Sequence, residues 1–346
     1  MTDLVSLSLE ELTAFVTDTL SAPKFRAKQI YEWINKGAEF DEMLNIPKAL
    51  REHMSEISYL SYPTVAEKYV SKIDGTVKFL YRMKDGEYVE SVVMQYEHGY
   101  SICLSTQAGC RMGCKFCAST IGGRVRNLLP GEILAEILIA QKELSVRISN
   151  IVLMGIGEPL DNYDNVMKFL RLVNSKDGLN IGYRHISLST CGLVDRIYDL
   201  ASEDMPLTLS ISLHASDDET RSAIMPINQR YPLDALLTAC RDYFDKTSRR
   251  ISFEYTLITG KNDTVEDARN LASLLKRYLG KRPFHVNLIL VNEVKESGFV
   301  RGSKASVVNF CKELNAMNVN ATIRRTLGAD INASCGQLRH NADKNQ

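Results

Sequence analysis

The 346-residue chain carries no excess of either charge: lysine plus arginine and aspartate plus glutamate both number 42. A generic nucleic-acid coat needs a strong positive surplus, so that class is excluded, while an RNA enzyme with local basic patches is not. No apolar stretch approaches the roughly 20 residues of a membrane-spanning helix. The start, Met1-Thr-Asp-Leu-Val-Ser-Leu7, lacks the basic flank and apolar run of a secretory leader. Together these absences predict a cytoplasmic protein with no membrane partner. There is no repeat of solenoid period and no low-complexity tract. Hydrophobic content of 45% and charged content of 24% are ordinary globular values. The length allows one large α/β domain with a smaller appendage, or two medium domains.

Eight cysteines in a cytoplasmic chain read as ligands or catalysts rather than disulfides. Three crowd into Cys110-Arg-Met-Gly-Cys114-Lys-Phe-Cys117, at spacing four then three. Thiolates at this density are soft ligands for a metal or cluster. Four cysteines close an iron–sulfur site, whereas three leave one iron open to a substrate or cofactor. The alternatives are a zinc knot or unrelated buried thiols, but a zinc site needs a fourth ligand at matching spacing. The next histidine is His185 and the next cysteine Cys191, so none follows nearby.

In chain order, residues 1–60 read as a helical module. Ser8 is a plausible N-cap with Glu11 at the capping-box position, and a third helix covers Lys48 to about Ile57. Lys24, Arg26 and Lys28 form a basic cluster, either a solvated face or a phosphate contact. Residues 61–98 are β-rich, with Asp74-Gly75 and Asp85-Gly86 as hairpin turns and Glu90 in the last strand. From about residue 99 to 326, strands, the first over Ser101–Ser105 and another over 251–257, alternate with helices, which predicts a parallel sheet and a full or partial barrel. Residues 327–346 form a polar tail carrying Cys335. In such barrels chemistry collects where strands end. The cysteine loop, Gly155-Ile-Gly157-Glu158-Pro159, Ser189, Ser212, His214 and Asn292 all lie at or just past expected strand ends. Glu158 can accept a hydrogen bond from an ammonium group, and the glycines let backbone approach a ligand. Ser189 and Ser212 either bind a ligand or cap the following helix, and His214 either contacts a ligand or is a satisfied barrel-mouth histidine. Asn292 offers both a donor and an acceptor, or is a plain turn residue. Cys240 and Cys311 read as inert helix residues.

The cysteine spacing with Gly-Glu-Pro after the next strand resembles the radical S-adenosylmethionine (SAM) superfamily. Within it, Cys103-x₆-Cys110, the run Met154-Gly-Ile-Gly-Glu-Pro-Leu-Asp-Asn162, Ser212-Leu-His-Ala215, Met225-Pro-Ile-Asn228 and Asp330-Ile-Asn-Ala-Ser-Cys335-Gly-Gln-Leu338 resemble the bacterial dual-specificity RNA methyltransferases over nearly the whole chain. The resemblance implies an α/β fold with a partial (β/α) TIM-like barrel of the radical SAM type, a helical N-terminal RNA-binding accessory domain and a β-meander extension. It implies methylation of C2 of an adenosine in 23S rRNA and in tRNAs. Cys110, Cys114 and Cys117 would hold a [4Fe–4S] cluster. Gly157, Glu158, Ser189, Ser212, Leu213, His214 and Asn292 would cradle S-adenosyl-L-methionine, of which each turnover uses two. Cys335 would be methylated first, a 5′-deoxyadenosyl radical would activate that methyl group, and Cys103 would resolve the protein–RNA adduct by forming a disulfide with Cys335. Glu90 matches the proton acceptor. A flavodoxin- or ferredoxin-type donor would supply electrons, and a monomer is expected. A C8-methylating, antibiotic-resistance-type relative often has Ala where this chain has Pro159, so Pro159 favours C2. The chain departs from the family in lacking a proline after Asn292. A radical SAM enzyme on another substrate would leave Cys103 and Cys335 without a role, and a non-catalytic cluster- or zinc-bearing RNA-binding module would not depend on SAM. Arg124, Arg126, Arg324 and Arg325 are candidate RNA phosphate contacts or plain solvated surface charges.

Overall fold

In a computed structural model, the described residues are 1–338 apart from 293, 295 and 297. The remainder of the tail expected to begin at 327 lies outside them. At the N-terminus, Thr2–Asp3 (β1) pairs in parallel with Ser58–Tyr59 (β2). Between them lie helices Leu9–Ala14 (α1), Phe25–Ile34 (α2) and Lys48–Ile57 (α3). The expected cap is present: Ser8 Oγ accepts from Glu11 N at 3.1 Å while Ser8 N donates to the Glu11 carboxylate at 2.8 Å. Polar contacts fasten this module to the following layer. Gly131 N donates to Ser6 Oγ at 2.8 Å, and Lys168 pairs with Glu11 at 2.8 Å.

Strands Thr64–Val70 (β3), Val77–Arg82 (β4), Tyr88–Tyr96 (β5) and Gly99–Cys103 (β6) form an antiparallel meander turning at both Asp-Gly pairs. The strand expected to run to Ser105 stops at Cys103, because Ser105 N donates instead to the buried Glu136 carboxylate at 3.1 Å. A short hairpin not foreseen in the sequence follows, Gln107–Gly109 (β7) with Arg124–Asn127 (β8), and it brackets the cysteine loop.

The chain then alternates: Pro130–Leu144 (α4), Ile148–Leu153 (β9), Tyr163–Asn174 (α5), Ile186–Thr190 (β10), Val194–Leu200 (α6), Thr208–Ser212 (β11), Asp218–Ile224 (α7), Leu233–Thr247 (α8), Ile251–Leu257 (β12), Val265–Leu279 (α9), Phe284–Leu290 (β13), Lys304–Ala316 (α10) and Ala321–Ile323 (β14). Strands β6 and β9 to β14 pair in parallel in sequence order, and β3 to β5 extend the sheet at the β6 edge. Among the described residues no ladder joins β14 to β3, so the sheet is an open, partial barrel. Strand periodicity sorts its two faces. In β12, Ile251, Phe253, Tyr255 and Leu257 join the apolar core, while Ser252, Glu254 and Thr256 alternate with them. The polar face is tied across strands. Ser187 meets Ser210 at 3.0 Å, and Asn287 Nδ2 donates to Ser252 Oγ at 3.1 Å and to Glu254 Oε1 at 2.9 Å. An open barrel leaves its concave face wettable, and satisfied polar side chains tolerate that where an apolar lining would not.

Candidate active site

The cysteine loop is short, yet it is anchored at both ends and in the middle. Cys110 N donates to Gly123 O at 3.1 Å and Lys115 N to Ile224 O at 3.0 Å, so the loop rests on the end of α7. Ala118 N donates to Gly336 O at 2.7 Å, which ties the loop to the C-terminal tail. Arg111 reaches across to Asp161 in a two-pronged ion pair, and Asp161 also accepts from Arg124 at 2.8 Å and Gln107 at 2.9 Å. Burial alone would push the Asp161 carboxyl up. The bonds from Arg111 and Gln107 and the charges of Arg111 and Arg124 outweigh it and hold the group below the usual carboxylate range.

Burial pushes the Cys110 thiol up to about 12, and pushes Cys114 and Cys117 up as well. Uncomplexed thiolates are therefore disfavoured here, and a bound cation would reverse that preference. Among the described residues no three such ligands converge on a point suited to one metal ion. A cubane cluster does not require that, since each of its irons takes one thiolate. The donor set and its spacing fit a three-thiolate cluster.

Gly155 and Gly157 serve the chain's own crossing before any ligand. A Cβ on Gly155 would sit 2.5 Å from Leu104 O, and one on Gly157 would sit 2.7 Å from Gln107 Cβ, at a φ of 106°. The close approach expected toward a ligand is thus toward segment 104–107. Glu158, buried, accepts from Leu160 N at 3.0 Å through Oε1 and from Cys191 N at 2.8 Å through Oε2. It clamps its own loop to the end of β10. Burial raises its pKa, with the bonds from Cys191, Thr190 and Leu160 opposing.

One cavity, open at its mouth, is lined by Cys110, Cys114, Cys117, Gly157, Glu158, Ser189, Ser212, His214, Asn292 and Cys335. His214 occupies a left-handed backbone position, φ 57°, and its ring meets Phe116 edge-on at 4.9 Å. Its Nδ1 accepts from Thr256 N at 2.9 Å, so the ring proton sits on Nε2 as a donor. Burial, with the Arg221 charge adding, holds its pKa down to about 3. Leu213 is fully buried outside the cavity wall, its N donating to Glu254 O and its O accepting from Arg221 Nε, each at 3.0 Å.

The tail crosses this mouth on a series of anchors. Gly328 N donates to Asp74 at 2.9 Å, and Asp330 accepts from Ser71 Oγ at 2.7 Å and Lys72 N at 2.9 Å. Asn292 Nδ2 donates to Cys335 O at 2.9 Å, and Ser119 Oγ to Leu338 O at 2.8 Å. Two residues stand behind the cavity wall. Cys103 on β6 is buried, its thiol pushed up to about 12 by burial and by the charge of Cys335, with Arg324 opposing. Glu90 on β5 pairs with Lys78 at 2.9 Å. Cys103 pairs across the strands with Val92, so Glu90, two residues from Val92, shares the face of Cys103.

Two proposed phosphate contacts are committed elsewhere. Arg126 is paired with Asp85 and with Glu132 at 2.7 Å, and Arg124 with Asp161. Both have carboxylate neighbours that only the fold supplies. Arg324 lines the cavity, 3.5 Å from Glu254, and so turns inward. Sequence reasoning passed over Asp161 and Arg221. Asp161 was visible inside the quoted Gly-Glu-Pro run. Arg221, a lone arginine on a short helix, carried no signal.

Comparison with known proteins agrees with this geometry. Residues 104–275 match the Radical SAM superfamily, and residues 2–60 match the ribosomal RNA large subunit methyltransferase N-terminal domain. A "Probable dual-specificity RNA methyltransferase RlmN" of Clostridium novyi is 53% identical over 347 residues, covering 100% of both chains. The protein of the same name from Clostridium perfringens is 54% identical over 348 residues, covering 100% of this chain and 99% of its own. A radical SAM methyltransferase from Sphaerobacter thermophilus, known from its crystal structure, superposes with a TM-score of 0.93. It is 39% identical, with 98% of this chain and 99% of that one covered.

Proposed function

Because the chain belongs to the RlmN family of radical SAM RNA methyltransferases, we propose that it methylates C2 of an adenosine in 23S rRNA and in tRNAs, with Cys335 as the methyl carrier. The observation that carries this reading is the tail. Cys335 lines the same cavity as the three cluster cysteines, its carbonyl held by Asn292. A [4Fe–4S] cluster on Cys110, Cys114 and Cys117, with bound SAM, would supply the one-electron chemistry that an electron-poor ring carbon requires.

The chain's own residues then divide the work. Glu158, Ser189, Ser212, Asn292 and the Nε2–H of His214 orient SAM, with Gly157 and Leu213 contributing backbone. Cys335 presents its carbon to the base, and a covalent intermediate splits a hard transfer into two steps. Cys103 resolves that intermediate by attacking the Cys335 sulfur: the S–S bond forms as the S–CH2 bond breaks, and the methylene carbon takes the electron pair and a proton to become the methyl group. Glu90, on the same sheet face as Cys103, is the acceptor for the proton that C2 gives up. The closed state of the tail excludes water while the methyl carrier is in place. The N-terminal module, residues 2–60, approaches the RNA, and a flavodoxin- or ferredoxin-type protein delivers electrons.

The test is anaerobic reconstitution with SAM carrying a labelled methyl group, followed by mass analysis of the Cys335 peptide and of nucleosides from added RNA. A labelled Cys335 and 2-methyladenosine are expected, and Cys103→Ala should accumulate a protein–RNA adduct. Unmodified Cys335 after turnover would end the proposal, and 8-methyladenosine would move the chain to the C8 class.

A further inference from the structure

Arg221 is a fully buried charged side chain, with none of its surface exposed. Transferring a guanidinium out of water is costly, and proteins ordinarily offset that cost with a carboxylate. Here none is paired with it: among the described residues no acidic oxygen lies within ion-pair distance. Instead Nε donates to Leu213 O at 3.0 Å, and Nη2 donates to Cys191 O at 2.8 Å and Ser212 O at 3.1 Å. Nη1 donates to the Asn228 side-chain oxygen at 2.9 Å. Every acceptor is neutral, so the hydrogen bonding is satisfied without a direct ion pair, and Asp218, reached only through Asn228, offsets the charge in part.

The location of that charge is specific. Arg221 lies on α7, one turn before Ile224, whose carbonyl accepts from Lys115 in the cysteine loop. Cys191, whose carbonyl the guanidinium holds, packs in one apolar cluster with Cys114 and Ile224. The charge therefore stands behind the second thiol of the loop, in a medium of low polarisability. The acid that acts on it is Asp218, which accepts from Asn228 Nδ2 at 2.9 Å and so meets the guanidinium only through that amide, while Glu158 clamps Cys191 from the other face.

We infer that Arg221 is the internal counter-ion of the iron–sulfur cluster, a fixed positive charge that favours its reduced state. This rests on the reading of Cys110, Cys114 and Cys117 as cluster ligands. A cubane held by three thiolates carries a single net negative charge when oxidised and two when reduced, so a neighbouring fixed cation stabilises the reduced form more. Cluster potential is set by such local charge and hydrogen bonding. A unit charge about 10 Å away, at an effective dielectric near 20, shifts a one-electron equilibrium on the order of tenfold. The same interaction runs in reverse: the cluster supplies negative charge beyond what Asp218, reached through Asn228, provides. Arg221 is a positioning and tuning residue, since it touches the strand ends rather than the reacting atoms.

The experiment is an anaerobic redox titration of the reconstituted full-length protein, followed by electron paramagnetic resonance, with iron and sulfide measured in every sample. The proteins are the wild type, Arg221→Gln and Arg221→Lys. In Arg221→Gln the reduced-to-oxidised ratio at a fixed ambient potential should fall about tenfold, a shift of about 59 mV to more negative potential for one electron. Arg221→Lys keeps the charge and loses most of the bonds, and should stay within about twofold of wild type. Should Arg221→Gln fail to take up iron while Arg221→Lys takes it up at the wild-type potential, charge rather than bonding is again the requirement. Arg221→Gln titrating at the wild-type potential would overturn the inference. So would equal shifts in both variants, or loss of iron from both, each of which assigns Arg221 to strand-end bonding alone. Absence of iron and sulfide from the wild type would instead end the cluster reading.

Discussion

Asp161→Asn should loosen the cysteine loop while leaving the barrel intact. The Asp161 side chain is 5% exposed and collects Arg111, Arg124 and Gln107 on its two oxygens. Asparagine fills the same space but turns one acceptor into a donor and removes the charge. The Arg111 pair is more than half exposed and counts for little, because solvent screens it. Losing the charge-assisted bonds from Arg124 and Gln107 should cost about 2 kcal/mol. If that cost falls on local opening of the loop, opening becomes about 30-fold more frequent. Native-state hydrogen exchange reads this directly. The reporters are the amides of Cys110, Lys115 and Ala118, which bond to Gly123, Ile224 and Gly336. Amides of β12, fully buried and paired on both sides, are the control. Unchanged exchange at the reporters, or an equal rise in β12, would refute the idea that Asp161 clasps the loop locally. The same clasp predicts acid sensitivity with a definite sign. A carboxyl held below its unfolded pKa contributes stability that is present above that pKa and is lost as pH falls through the lowered folded value. Loop protection should thus be flat from about pH 5 to 8 and weaken only below.

Two further outcomes are expected. Gly157→Ala combines a left-handed φ of 106° with a Cβ 2.9 Å from Gln107 N, whereas Gly75→Ala has a φ of 72° and open space. Calorimetry should show Gly157→Ala destabilised by about 2–4 kcal/mol and Gly75→Ala by about 1 kcal/mol, and equal midpoints would refute the steric account. The His214 ring should remain neutral with its proton on Nε2 from pH 8 to 5, as read by ring ¹⁵N shifts, and titration near 6.5 would contradict its buried setting. A histidine pKa lowered on folding favours the folded state above about 6.5. As pH falls from there toward about 3, this ring costs stability at about 1.4 kcal/mol per unit.

The alternation of strands and helices after residue 99 was legible because hydrophobic period is a local property. Strand β12 and helix α3 fall where the pattern puts them, and the Ser8–Glu11 cap lies within one turn of chain. Strand β6 ends two residues early because a carboxylate from α4, Glu136, takes the next amide. The β7–β8 hairpin was missed because its strands are very short, and its pairing spans the loop that separates them.

What the sequence alone determined was the class of chemistry. Three thiols within eight residues are close neighbours in any fold, so their ligand character survives without knowledge of the rest. Tertiary structure decided what surrounds them. Cys335 reaches the loop from more than two hundred residues away, through bonds at Asn292, Ala118 and Ser119. Glu158, read from sequence as a ligand contact, is also the clamp on β10. Arg124 and Arg126, read as surface charge for RNA, are tied into carboxylates. Arg221, invisible in the sequence, becomes a buried cation without a direct ion pair behind Cys114 only once α7 is folded onto the strand ends. Charges and hydrogen bonds depend on which distant groups meet and on how much water is excluded between them, and neither quantity is written in local spacing.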